Sequence, residues 1–78
     1  MSERLPAIKA KDLVRVLRQE GFEPVHQKGS HATFKNPITR KRVTIPLHPG
    51  KDLKRGLLKG ILNDLNISSE EFIQKLKS

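Results

Sequence analysis

Lys28-Gly29-Ser30-His31-Ala32-Thr33-Phe34 alternates as a strand does, directly after a glycine. Side chains of a strand point to opposite faces with period two. With Ala32 and Phe34 turned toward a core, His31 and Thr33 turn toward solvent. Gly29 supplies the tight turn ahead of the strand. A histidine held on the outer face of a sheet, in a strongly basic chain, is a candidate acid–base group for a phosphate substrate.

The neighbouring segments extend this strand into a sheet. Phe22 to Lys28 reads as the first strand; Pro24 lacks an amide proton, so that strand should begin late or lie at an edge. Ser30 to Lys35 is the second strand. Asn36-Pro37-Ile38-Thr39-Arg40-Lys41 is a loop whose Asn-Pro pair initiates the turn. Arg42 to Leu47 is the third strand, with Val43, Ile45 and Leu47 on one face. Short turns between the three make an antiparallel meander.

Helices flank the meander. Leu13, Val16 and Leu17 fall at i, i+3, i+4 between Ala10 and Glu20, an amphipathic helix that Gly21 ends. Residues 1–9 read as a leader with Pro6 as a breaker, and 10–78 as one domain. After the loop His48-Pro49-Gly50, Asp52 is expected to cap a helix running to about Leu65. Its apolar stripe is Leu57, Leu58, Ile61, Leu62 and Leu65. Gly56 and Gly60 cost this helix ~1 kcal/mol each relative to Ala; on one side of it, they would allow close approach of a sheet or ligand. Asn66 suits a left-handed stop, and Ser68-Ser69-Glu70-Glu71 is a capping box that opens a short last helix. The expectation is an α+β fold of helix, three-stranded antiparallel sheet and helix, with a short C-terminal helix. That order is the double-stranded-RNA-binding-domain layout, with both main helices on one sheet face and the other face open.

Charge narrows the class of partner. The 78 residues carry 16 Lys and Arg against 8 Asp and Glu, a net of +8. The excess lies in residues 1–60, which hold 14 basic and 5 acidic side chains, whereas residues 61–78 hold 2 and 3. Such a surface favours a polyanion or an acidic protein. Cysteine is absent, which excludes disulfides, thiolate metal sites and cysteine nucleophiles. No apolar run is long enough for a signal peptide or a membrane span, so a cytoplasmic protein is expected.

The sequence resembles a known family in three stretches: Gly21-Phe22, Gln27-Lys28-Gly29-Ser30-His31, and Val43-Thr44-Ile45-Pro46-Leu47-His48-Pro49-Gly50-Lys51-Asp52-Leu53. In order and spacing these are similar to the HicA toxins, and the resemblance covers about residues 5 to 73. It implies a metal-independent mRNA endonuclease of a toxin–antitoxin pair, the fold described above, a catalytic histidine at His31 and a neutralising HicB-like antitoxin. One departure is Lys9-Ala10, where the family's first helix often opens on a small polar cap.

The site residues follow from chemistry and position. RNA carries its own nucleophile, the 2′-hydroxyl beside the scissile phosphate, and an imidazole can accept that proton or protonate the leaving 5′-oxygen. One histidine cannot do both at once. Lys28 is a candidate to stabilise charge on the phosphorane, and Ser30 a weaker candidate to orient a group nearby. His48 is either a loop residue that shapes the entry to the next helix or a phosphate contact and second acid. His26 has no supporting context and reads as surface. The histidine spacings match no metal motif, and no metal or other cofactor is expected.

Two basic clusters are candidates for RNA phosphates. Arg40, Lys41 and Arg42 lie on the loop into the third strand; Lys51, Lys54, Arg55 and Lys59 lie at the front of the long helix, whose N-terminus adds partial positive charge. Phe22, Phe34 and Phe72 occupy core-like positions and there is no Tyr or Trp. Base stacking on an aromatic platform is therefore not expected, and binding should rest on phosphates and RNA shape. The alternative function is a non-catalytic basic RNA-binding module of the same fold. A third reading, an interaction protein docking an acidic partner without RNA, is weaker.

Overall fold

The computed structural model describes residues 5–78. The order is α1 (Ala10–Gln19), β1 (Glu23–Lys28), β2 (His31–Lys35), β3 (Arg42–Pro46), α2 (Arg55–Asp64) and α3 (Ser69–Leu76). The strands form one antiparallel sheet in the order β1-β2-β3. The fold is thus α+β, with the helix–sheet–helix layout expected.

Period-two alternation sorts the strands. Ala32 and Phe34 of β2 and Val43 and Ile45 of β3 are buried, while His31, Arg42 and Thr44 between them are exposed. The buried set joins Leu13, Val16 and Leu17 of α1, Leu58, Ile61 and Leu62 of α2, and Phe72 of α3 in one core. All three helices therefore cover the same face of the sheet. Burying a side chain of this size contributes roughly 1.5–3 kcal/mol. Phe22, Phe34 and Phe72 are all in the core, as their positions imply.

Helix ends follow local chemistry. At the end of α1, Gly21 has φ +93, its amide bonds the Arg18 carbonyl, and the Phe22 amide bonds the Leu17 carbonyl at 2.9 Å. This is a Schellman stop. Asn66, with φ 57, ends α2 in the same way through Ile67 and Leu62. Ser68 and Glu71 form the capping box of α3, with the Glu71 amide 3.0 Å from the Ser68 hydroxyl.

Long-range contacts alter four sequence expectations. Asp52 does not cap α2. Its backbone makes an isolated antiparallel bridge with Lys9, and its carboxylate pairs with the Lys9 ammonium at 3.1 Å. The helix starts later, at Arg55, after Lys54, which offers no side-chain cap. Residues 5–9, read as part of a leader, are packed: Leu5 and Ile8 are core residues, and the Ile8 carbonyl accepts the Leu53 amide at 2.8 Å. Leu57 is exposed, because α2 presents its buried stripe through Leu58, Ile61 and Leu62 alone. Nothing lies within 4 Å of a Cβ built on Gly56 or Gly60, so the glycines make no close approach. They line a groove of about 370 Å³ between α2 and the Arg42–Thr44 edge of β3.

One buried polar side chain organises the far end of the sheet. Asn36 donates from Nδ2 to the Glu20 carbonyl at 2.9 Å and accepts from the Ile38 and Thr39 amides at 2.9 and 3.1 Å. Its backbone bonds the Lys41 carbonyl and the Arg40 amide. The β2–β3 loop is thereby pinned to the end of α1, with Arg40 held in the left-handed region at φ 66.

Candidate functional site

The site begins with the hairpin between β1 and β2. Gly29 has φ +58 and occupies the first central position of a two-residue turn, where a glycine lets the strands keep their right-handed twist. The turn pairs Lys28 directly with His31. On the other side His31 pairs with Pro46 of β3, and the Ser30 carbonyl receives the Leu47 amide. The first residue of β2 is therefore held on both flanks, and Ala32 beside it is anchored in the core.

Residues directly opposite one another in a sheet share a face. Three rows consequently cross the open side: Lys28, His31 and Pro46; His26, Thr33 and Thr44; Glu23, Lys35 and Arg42. Thr33 and Thr44 join hydroxyls across the middle row at 3.1 Å. Lys35 and Arg42 place two cations at the end opposite Lys28. His31 is exposed, as its parity requires, and Lys28 is its nearest charged neighbour by register.

His26 belongs to this face because it lies two residues before Lys28, which the turn pairs with His31, and the ladder is regular between them. The register slips only beyond it, between Pro24 and His26, leaving Val25 as an extra residue in β1. The bulge reverses the parity of what precedes it, so Pro24 is opposite the buried Phe34 and Glu23 is opposite Lys35. Pro24, a residue without an amide proton, is the sequence signal for a broken ladder at this point.

The other candidates are distributed around the molecule. His48 follows β3 in a turn whose carbonyl accepts the Lys51 amide at 3.1 Å. With Leu47 and Pro49 it lines an apolar groove of about 590 Å³ against Lys9, Ala10 and Val14 at the start of α1. It is not in the rows of the sheet face. Ser30 is half-buried in the hairpin turn. Arg40 and Arg42 are exposed, whereas the Lys41 ammonium donates to the Asp64 carbonyl at the end of α2, 3.2 Å away. Lys51, Lys54, Arg55 and Lys59 are exposed around the front of α2, with no acidic residue in its first turn. Like charges at the positive end of a helix disfavour it unless an anion joins them. Among the described residues no three His, Asp or Glu side chains come together as a metal site, and no helix is long and apolar enough to cross a membrane.

Comparison with curated proteins and with solved structures gives no match. The family comparison does: the model for the HicA toxin of bacterial toxin–antitoxin systems matches residues 10–67, from the first residue of α1 through all three strands to the stop of α2. The match covers most of the chain and includes the hairpin that carries His31, and the chain belongs to the HicA toxin family.

Proposed function

We propose that this toxin is a metal-independent endoribonuclease that cleaves mRNA, with His31 as a proton-transfer group. The observation that carries the reading is the pairing of His31 with Lys28 on an exposed, cation-rich sheet face. Attack of the 2′-hydroxyl on the adjacent phosphorus requires removal of one proton and delivery of another to the leaving 5′-oxygen. An imidazole exchanges protons near neutral pH, and an ammonium beside it stabilises the extra negative charge of the phosphorane. Lys35 and Arg42 extend the positive track along the same face, and Lys54 and Arg55 offer a second phosphate contact at α2.

A toxin needs an antitoxin partner. The reading here is a HicB-like protein that presents acidic groups to the sheet face and masks His31; the net charge of +8 favours fast association with such a partner. The toxin would act in the cytoplasm, where mRNA is found.

The test is cleavage of RNA in EDTA by the wild type and by His31→Ala. The wild type is expected to leave 2′,3′-cyclic phosphate and 5′-hydroxyl ends. The variant should lose about 10²–10⁴-fold in rate, the usual worth of a positioned acid or base. Because His31 is exposed, its fold should be unchanged. Cleavage by the variant at the wild-type rate would remove His31 from the mechanism, and 3′-hydroxyl ends would mean that water, not the 2′-hydroxyl, attacks.

A further inference from the structure

The nuclease reading leaves one proton unassigned. If one imidazole takes the 2′-hydroxyl proton, a second group must protonate the 5′-oxygen, or the reverse. The group must share the open face with His31 and must exchange a proton near neutral pH.

The register restricts the choice. The open face presents Glu23, His26, Lys28, Thr33, Lys35, Arg42 and Thr44 besides His31 and Pro46. A guanidinium is not deprotonated in proteins, and an ordinary ammonium or hydroxyl holds its proton too firmly. The two threonine hydroxyls are also bonded to each other. Glu23 lies in the far row, two rows from His31. His26 is opposite Thr33, and Thr33 is two residues from His31 on the same strand and face. His26 and His31 are thus diagonal neighbours across β1 and β2, a relation that separates Cβ atoms by about 7–8 Å or less. A phosphate can fit between two imidazoles at that spacing, with the attacking oxygen toward one ring and the leaving oxygen toward the other. His48, the remaining histidine, lines the groove beside α1 instead.

We propose that His26 is the second proton-transfer residue of this toxin, working with His31 on one scissile phosphate. This rests on the endoribonuclease reading. The neutral imidazole of the pair accepts the 2′-hydroxyl proton as the O2′–P bond forms. The imidazolium of the pair donates its proton to O5′ as the P–O5′ bond breaks. The products are a 2′,3′-cyclic phosphate and a 5′-hydroxyl, and the pair ends with its protons exchanged and no net change in charge.

The experiment compares wild type, His26→Ala and His31→Ala on two substrates across pH. One is an ordinary RNA; the other is an RNA with sulfur in place of O5′ at the cleavage site, whose thiolate leaves without being protonated. The wild type should show a bell-shaped rate profile. Each variant should lose about 10²-fold or more on ordinary RNA and one limb of the bell. One variant, the one lacking the acid, should recover most of the lost rate on the sulfur substrate, and the other should not. A purely structural role for His26 would lower the rate on both substrates equally and keep both limbs. That outcome, or a His26→Ala rate within about threefold of wild type while His31→Ala is inactive, overturns the proposal and leaves the nuclease reading standing. If the wild type does not cleave RNA, or His31→Ala cleaves it at the wild-type rate, the nuclease reading itself fails.

Discussion

Replacing Asn36 by alanine should be among the most damaging single changes outside the apolar core. The side chain is 6% exposed and makes three hydrogen bonds, one as donor to Glu20 and two as acceptor from Ile38 and Thr39. A net bond contributes about 1 kcal/mol, and orphaned partners raise the cost where water cannot reach them. The Ile38 and Thr39 amides lie on an exposed loop and can turn to solvent, whereas the Glu20 carbonyl lies against the loop. The expected loss is therefore about 2–4 kcal/mol. A chain of this length has roughly 4–12 kcal/mol to lose, so Tm should fall by about 10–25 °C. With three Phe and neither Trp nor Tyr, fluorescence is a poor reporter, and urea and thermal unfolding should be followed by far-ultraviolet circular dichroism. Ile38→Ala is the internal control: at 89% exposure, its removal should change stability by less than ~0.5 kcal/mol. If Asn36→Ala matches that control, the loop is held by its backbone turn alone and the pinning argument is wrong.

Three further outcomes follow from other features. Gly29→Ala should cost about 1 kcal/mol of unfolding free energy in urea, since the added Cβ enters open space and only the positive φ penalises it; a neutral result would mean the turn relaxes to another type. The double change Lys54→Ala and Arg55→Ala should flatten the slope of log K for RNA against log salt by up to about 1.4–1.8, two phosphates' worth, and an unchanged slope would send the RNA to Arg40, Arg42 and the sheet face. The hydrogen bond and charge of Glu20, 2.7 Å away, hold the Lys75 ammonium above its ordinary pKa. A raised lysine stabilises the fold at every pH below the unfolded value and ceases to do so as pH rises through the folded one. Lys75→Met should therefore be less stable than wild type at neutral pH and converge with it in strongly alkaline solution.

Much of the fold is legible because it is decided locally. The left-handed stops at Gly21 and Asn66, the Ser68–Glu71 box and the inward faces of β2 and β3 each depend on residues a few positions apart. The outward side of His31 and its pairing with Lys28 are equally local, since a two-residue turn dictates both. What the spacing does not reveal depends on partners distant in the chain. Asp52 has the chemistry of a cap, but the competing partner Lys9 is 43 residues away. The bulge at Val25 is a relation between two strands, so parity carried back from Lys28 places His26 correctly but puts Pro24 and Glu23 on the wrong sides. Leu5 and Ile8 carry no periodic pattern of their own and are recognised as core only when the groove they fill exists.

The packing of Leu5 and Ile8 separates the folding unit from the recognisable unit. The family match begins at Ala10, yet two buried side chains, the Lys9–Asp52 bridge and the Ile8–Leu53 hydrogen bond precede it or depend on what precedes it. At roughly 1.5–3 kcal/mol for each buried side chain, a chain trimmed to the matched boundary would forfeit a large share of its stability. The sheet face that carries His31 would remain intact in sequence. Deletion of the five residues Leu5 to Lys9 is thus a route to silencing this toxin without altering any residue of the sheet face.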